Sequence, residues 1–537
     1  MREEITIERM GYGDAAIGRA SSGKTVFVDG GCPGDVALVD MTADKGSYLE
    51  GRVAELVSPS PDRALPSCPL AGVCGGCGWQ HLSYERQLAE KRAGVVSQLS
   101  RVGGVDARRA EELVAACVPS KRPMGYRNKL EFACRTGQNG FELGFHRKGA
   151  DDIVAIDACP LAHKQIEKSA KAIRGALRYM SGREDLGIHR VGVRHSHRTG
   201  ALEVALWTLP GAFPRAAVAR TLSQAVRGVT SVVRVMTADE SSARKLKGVE
   251  VLDGKGIWLE EVAGVRHGVS APSFFQVNTA QADTLVKLTL DGLELGEDDL
   301  AADLYCGVGT FTLPLAERCD AVYAVESYGS SVRDLRRTVE RMGMADAVEV
   351  IGGDAARELP ELGELDALIV DPPRAGLAKE IVGSIAAAGP ARMAYISCDP
   401  ATWARDVARL SAAGFELVRA TPVDLFPQTY HVETVAVLSR KSASKSFIPV
   451  SISPKDMGLS EEKAQPTYAN ICDYVQKTHG MKVSSLYVAQ MKAECGLETQ
   501  VDRSGDKKQP KCPPEKREAI LDAFRHFGLM GEDETEK

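Results

Sequence analysis

The chain has 537 residues, 44% of them hydrophobic and 26% charged, with a formal net charge of -5 at pH 7. At about 100 to 200 residues per domain this length implies three or four domains, and the charge balance excludes a uniformly basic surface, so any nucleic-acid binding must rest on local sites. No run is apolar enough to cross a bilayer and no cleavable leader is evident, which points to the cytoplasm; 13 cysteines, an odd and sparse set, then suggest metal ligands or catalytic thiols rather than a disulfide scaffold.

In chain order, residues 1–58 alternate short apolar and polar runs with Gly and Asp turns, as in Thr25-Val26-Phe27-Val28 before Asp29-Gly30-Gly31. This pattern predicts a small β-barrel of the OB type. Ser58-Pro59-Ser60-Pro61 reads as a linker. Tyr84, Leu88, Val95, Leu99 and Val102 recur at helical spacing and predict one amphipathic helix with a core-facing stripe. From about 120 to 270, strand-like alternation such as Leu202-Glu203-Val204-Ala205-Leu206-Trp207 predicts an α+β domain. Beyond 271, strands at 300–305, 321–326, 348–351, 367–370, 392–397, 416–419 and 433–439 alternate with helices, the pattern of a seven-stranded, doubly wound α/β sheet. After Lys441 a Ser- and Lys-rich joint leads to three expected helices, 468–478, 484–495 and 514–527, forming a small helical appendage. The expected domains are therefore 1–58, 59–270, 271–440 and 441–537.

Several residue groups carry chemistry. Cys68, Cys74 and Cys77 form a tight ligand cluster in which Gly72, Gly75 and Gly76 let the loop wrap a metal centre. Cys159, followed by Pro160, is the best candidate for a fourth thiolate, and both an iron–sulfur cluster and a zinc ion accept such a set. Tyr126-Arg127-Asn128-Lys129, His189-Arg190 and Arg194-His195-Ser196-His197-Arg198 could touch phosphates or simply be solvated faces. In Phe274-Phe275-Gln276-Val277-Asn278 the aromatics suit a core, whereas Gln276 needs a polar role.

Asp303-Leu304-Tyr305-Cys306-Gly307-Val308-Gly309 reads as a strand, a Gly turn and a helix start at the end of the first strand, where such sheets bind nucleotides. Glu326, about 20 residues on, is placed to accept hydrogen bonds from a ribose diol. S-adenosylmethionine is favoured over a dinucleotide because a methyl-acceptor site follows. Asp371-Pro372-Pro373-Arg374 ends the fourth strand, with a carboxylate able to face the cofactor or a base on a loop stiffened by proline. Cys398, in Tyr395-Ile396-Ser397-Cys398-Asp399-Pro400, and Glu433, in His431-Val432-Glu433-Thr434, supply a thiol and a carboxylate to the same sheet. That pair suits methylation of carbon 5 of uracil: a thiolate adding at carbon 6 makes carbon 5 nucleophilic, and a base must then remove its proton. Exocyclic amines need no such covalent activation.

These residues together resemble the RNA uridine-5 methyltransferase family, in particular its ribosomal RNA members with an N-terminal TRAM domain and a 4Fe-4S cluster. The resemblance covers residues 1–440. It implies a class I, Rossmann-like methyltransferase domain that uses S-adenosylmethionine held by Gln276, Tyr305, Glu326 and Asp371, with Cys398 as nucleophile and Glu433 as base. Cys68, Cys74, Cys77 and Cys159 match the cluster ligands, in a structural and RNA-orienting role. The implied product is 5-methyluridine in RNA, 23S ribosomal RNA foremost, with transfer RNA as the alternative substrate and a non-catalytic, cluster-bearing RNA-binding factor as the alternative of another class. Two features depart from the family pattern. Residues 1–58 carry ten acids against six bases, which weakens a generic RNA-binding role for the barrel. The tail beyond 441, with 15 acids and 15 bases, lies outside it and is expected to tune RNA selection or to dock on protein.

Overall fold

The computed structural model describes residues 1–137, 140–181, 185–240, 245–441, 468–481, 483, 485–497 and 512–531. The Ser- and Lys-rich joint after Lys441 lies outside the described residues. Strands β1 (Arg2–Met10), β2 (Ala16–Arg19), β3 (Thr25–Asp29), β4 (Val36–Asp44) and β5 (Tyr48–Ser58) close into a barrel in the order β1-β2-β3-β5-β4. Alternate residues such as Ile5 and Ile7, or Val26 and Val28, fill its interior, as the two-residue period of a strand requires.

Helices α1 (Tyr84–Arg101) and α2 (Ala107–Leu113) follow. The Ser83 side chain accepts from Arg86 N and starts α1, and Asp106 does the same for α2. The apolar stripe of α1 does not face the domain that comes next in the chain. Val95, Val96 and Leu99 share a core with Leu368, Tyr395 and Trp403 of the C-terminal sheet. Lys91, also on α1, forms a fully buried ion pair with Asp424 at 2.5 Å; removing either partner strands the other charge, at a cost of about 3–5 kcal/mol.

The central sheet comprises β6 (Lys129–Gly137), β7 (Gly140–His146), β8 (Ile153–Ala155), β9 (Ile188–His195), β10 (Leu202–Thr208), β11 (Ser231–Thr237) and β12 (Leu246–Gly254) in the order β12-β11-β10-β9-β6-β7-β8. Helices α3 (Ser169–Ser181) and α4 (Arg215–Ala225) cover it, packing Ile173, Leu177, Val218 and Leu222 on Phe132, Val191 and Val204. A hairpin, β13 (Trp258–Val262) and β14 (Val265–Val269), then leads to α5 (Thr279–Leu293).

The C-terminal sheet contains β15 (Leu300–Leu304), β16 (Ala321–Glu326), β17 (Val348–Gly352), β18 (Ala367–Val370), β19 (Arg392–Ser397), β20 (Phe415–Val423) and β21 (Glu433–Arg440), ordered β17-β16-β15-β18-β19-β21-β20. The first five are parallel and mostly apolar, as strands covered by helices on both faces require, with Asp303 and Glu326 at or near their carboxyl ends. Among those helices are α6 (Thr312–Ala316), α7 (Gly329–Met342), α8 (Ala355–Glu358), α9 (Lys379–Ala388) and α10 (Pro400–Ala412). Strand β21 inserts antiparallel between β19 and β20.

The tail folds as α11 (Tyr468–His479), α12 (Ser485–Glu494) and α13 (Pro514–His526) around Ile471, Val475, Val488, Ile520 and Phe524. Lys516 pairs with Asp320 at 2.6 Å, and Cys472 and Gln476 face Asp298, Glu364 and Asp366 across a cavity of about 320 Å³. Asp298, Asp320 and Asp366 lie just ahead of β15, β16 and β18, so the tail sits at the edge where the parallel strands begin. No helix among the described residues is long and apolar enough to cross a membrane.

Candidate active site

The parallel strands all end at one edge, and β21, running the opposite way, begins there. The register pairs Ser397 with Thr434, so Cys398, one residue beyond β19, comes level with Glu433, the first residue of β21. Asp399 holds the turn: its Oδ1 accepts from Ala401 N at 3.0 Å and Thr402 N at 2.9 Å, capping α10. Cys398 is thereby fixed between a strand end and a helix start, partly open to solvent.

At the end of β15 the backbone turns through positive φ at Tyr305 (63°), Gly307 (58°) and Gly309 (87°). At Gly309 an added Cβ would lie 2.4 Å from Leu335 Cδ1, so this turn has room only for glycine. Glu326 Oε2 accepts from Gly307 N at 3.0 Å and Oε1 from Tyr328 N at 2.6 Å, holding the acid against the turn. Asp303, fully buried, accepts from Thr312 Oγ1 at 2.6 Å.

The electrostatics of the pocket are one-sided. Burial, with Glu326 nearby, pushes the Asp371 carboxyl up to about 7, and burial with Asp371 and Glu326 pushes Asp303 up to about 8. Glu433 is raised well above the ordinary carboxylate range by burial and then by Asp371, with Arg374 pulling the other way. Burial, then Glu433 and Asp371, pushes the Cys398 thiol up to about 12, again opposed by Arg374. Buried carboxylates this close destabilise one another until a cation arrives. The sulfonium and ammonium groups of S-adenosylmethionine supply such charge.

The pocket therefore brings together Glu326, Asp371, Cys398 and Glu433. Tyr305 stands at the start of the glycine turn, and burial, then Asp354 and Asp406, raises its phenol to about 12. Gln276 is buried just before α5, and its carbonyl accepts from Asn128 Nδ2 at 2.9 Å. The exposed Phe274 and buried Phe275 part company, with only Phe275 in the core against Trp258. Arg374 is exposed and acts on Cys398, Glu433 and His431; the only sign of that role in the sequence is a cation directly after Asp371-Pro372-Pro373.

Most of the residues expected to touch phosphate are otherwise engaged. Arg190 pairs with Glu131 at 2.8 Å, Arg194 with Glu203 at 2.5 Å, and Arg198 with Asp283. Lys129 pairs with Glu131 at 2.9 Å. Tyr126 and Asn128 are buried, the first donating to Pro427 O and the second to Gln276 O and Thr279 Oγ1. Glu131 and Asp283 lie far along the chain from Arg190 and Arg198, whereas Glu203 meets Arg194 across the β9–β10 pairing.

In the central domain Cys68, Cys74, Cys77 and Cys159 line one cavity of about 390 Å³ together with Gln80 and Arg127. Burial, then Cys159 and Cys74, raises the Cys77 thiol to about 12; burial, with Cys74 and Cys68 nearby, raises Cys159. Among the described residues no group of three His, Cys, Asp or Glu side chains is placed to hold a metal ion, and thiolates serve zinc and iron–sulfur clusters alike. Four thiols ringing a space are a donor set that fits a larger iron–sulfur guest.

A doubly wound sheet with a glycine turn and an acid at the end of the second strand defines a nucleotide-cofactor fold, and the acids gathered at its carboxyl edge suit a cationic methyl donor. The comparisons make the class specific. A family model described as tRNA (Uracil-5-)-methyltransferase matches residues 264–441, and a TRAM domain model matches residues 2–54. An uncharacterized RNA methyltransferase of Thermosynechococcus vestitus is 34% identical over 446 residues, spanning 81% of this chain and 97% of that protein. Another, from Gloeobacter violaceus, is 34% identical over 450 residues, 81% and 96% of the two chains. Among solved structures, the tRNA (uracil-54, C5)-methyltransferase of Pyrococcus abyssi in complex with S-adenosyl-L-homocysteine aligns with a TM-score of 0.62 at 27% identity, covering 81% of this chain and 99% of that one. The chain belongs to the RNA uracil-5-methyltransferase family. It is an RNA methyltransferase, and its barrel is a TRAM domain.

Proposed function

We propose that the protein makes 5-methyluridine in ribosomal RNA, in the cytoplasm, through a covalent adduct on Cys398. The observation that carries this reading is the antiparallel register that sets Cys398 level with Glu433 beside the carboxylate pocket. S-adenosylmethionine, when bound, supplies an electrophilic methyl group; Glu326 is placed for its ribose and Asp371 for its cationic end, with Gln276 and Tyr305 completing the set by family resemblance. A uridine leaves its stack to reach this edge, because ring atoms are inaccessible inside paired RNA. Cys398 adds as thiolate to carbon 6, and carbon 5 becomes the nucleophile that takes the methyl group. Glu433 then removes the proton from carbon 5, carbon 5 and carbon 6 regain their double bond, and the thiolate leaves. Desolvation suits Glu433 to this step by keeping its carboxylate a strong proton acceptor.

Cys68, Cys74, Cys77 and Cys159 would hold a 4Fe-4S cluster that braces the loop 68–77 against the residues around Cys159. Transfer RNA is the second reading, favoured by the likeness to the Pyrococcus abyssi tRNA (uracil-54, C5)-methyltransferase. Mapping 5-methyluridine in ribosomal and transfer RNA from cells with and without the protein separates the two. Loss of the mark at a ribosomal site supports the first reading, loss confined to transfer RNA replaces it with the second, and an unchanged map in both rejects the activity.

A further inference from the structure

The barrel is the part of the chain that the chemistry above does not use. Its surplus of acids over bases suits it poorly to a polyanion. Yet one of its side chains reaches the catalytic edge. Tyr12, in the turn between β1 and β2 and flanked by Gly11 and Gly13, donates its hydroxyl to Asp399 Oδ2. Its ring also meets Tyr430 edge-on, with centroids 5.9 Å apart. Both Asp399 oxygens are therefore in use, Oδ1 on the first turn of α10 and Oδ2 on the barrel.

The contact is part of a built joint. Trp79 Nε1 donates to Gly13 O at 3.1 Å, which holds the Tyr12 turn, while Trp79 N donates to Gln428 O at 3.1 Å. Gln428, at a φ of 71°, exchanges two hydrogen bonds with Gln87: Gln87 Nε2 donates to Gln428 Oε1 at 3.1 Å, and Gln428 N donates to Gln87 Oε1 at 2.9 Å. Tyr430, two residues on, packs against the barrel core, and Glu433 follows.

We infer that Tyr12 is a positioning residue for methyl transfer, which through Asp399 fixes the turn carrying Cys398 and offsets the carboxylate charge beside its thiol. This rests on the reading of Cys398 as the nucleophile. The charged groups around the thiol are Glu433 from β21, Asp371 and Arg374 from the segment after β18, and Asp399 on its own turn. Tyr12 is about half exposed, and its partial burial together with the bond to Asp399 raises the phenol, so it remains a donor over the working range. Losing the hydroxyl leaves Asp399 one donor short and lets its charge bear fully on Cys398, which makes the thiol harder to ionise.

The test uses the full chain and the variant Tyr12→Phe, which keeps the ring. Alkylation of Cys398 by iodoacetamide is followed against pH by peptide mass spectrometry, beside kcat, KM for RNA and affinity for S-adenosylmethionine. At pH 8 alkylation of the variant should slow by about threefold to tenfold, the effect of half to one unit in thiol pKa, with its midpoint moved to higher pH. The kcat should fall about tenfold through misplacement of the thiol, while KM for RNA and cofactor affinity stay within about twofold. Adding Asp399→Asn to Tyr12→Phe removes the charge but keeps the helix cap, so the midpoint should move back down. An unchanged alkylation profile with unchanged kcat overturns the inference, as does an effect confined to KM for RNA, which would make Tyr12 an RNA contact. Normal turnover by Cys398→Ala would defeat the nucleophile reading alone, because the alkylation comparison needs no RNA.

Discussion

Two pockets in this protein bury thiols, and they are built differently. At the edge of the C-terminal sheet, Cys398 shares its surroundings with carboxylates on rigid strand ends. In the central domain, Cys68, Cys74, Cys77 and Cys159 share theirs mainly with one another, on loops. Burial raises Cys398 and Cys77 alike to about 12, with carboxylates adding to the rise at Cys398 and neighbouring thiols at Cys77. Around Cys398 the positions are set by backbone register. The cysteine ring is drawn from segments distant in sequence, the loop 68–77 and Cys159.

Variants that break one pocket should spare the other, and this separates them. The largest expected effect comes from Glu433→Gln. With no base at carbon 5, turnover should fall by about 10²- to 10⁴-fold, and a slow-migrating enzyme–RNA band should persist on a denaturing gel. Cys77→Ser should next abolish most iron incorporation, measured as iron per chain on anaerobically purified protein, while affinity for S-adenosylmethionine stays within about threefold. Stoichiometric zinc in place of iron would reassign the ring. Gly309→Ala forces a side chain into a positive φ and against Leu335, a strain of about 1–3 kcal/mol; calorimetry should show cofactor affinity weakened about tenfold with iron content unchanged.

The smallest effect is in pH. Burial, with Glu326 nearby, pushes the Asp371 carboxyl up to about 7, so it is mostly neutral below that pH and mostly ionised above it. Only the ionised form attracts a cationic donor, so affinity for S-adenosylmethionine should weaken about threefold to tenfold between pH 8 and pH 6. Asp371→Asn should bind weakly at both and flatten the dependence, whereas a wild-type affinity independent of pH would remove Asp371 from the cofactor's charged end.

Much of this was legible in the sequence because the signals were local. The five barrel strands, the parallel strand ends at Asp303, Glu326, Asp371 and Ser397, and the tail helices all carry their period or their punctuation within a few residues. Glu433 was legible as a strand start next to an acid-free apolar run, but not its height in the sheet, which follows from β21 running antiparallel. Arg190, Arg194 and Arg198 read from sequence as phosphate contacts or solvated faces, and the structure pairs them with Glu131, Glu203 and Asp283, partners that local charge does not reveal. The destination of α1 was hidden for a related reason: an apolar stripe shows that a helix is buried, not against which sheet. Tyr12 had no signal at all, since its partner Asp399 lies in another domain.

The most direct test of the central claim is nucleoside analysis of RNA methylated in vitro by the wild-type chain and by Cys398→Ala. The account predicts 5-methyluridine as the methylated nucleoside with the wild type and none with the variant, whose affinity for S-adenosylmethionine stays within about threefold because the thiol acts on the base. A methyl group on any other position, or a comparable yield of 5-methyluridine from Cys398→Ala, would contradict it.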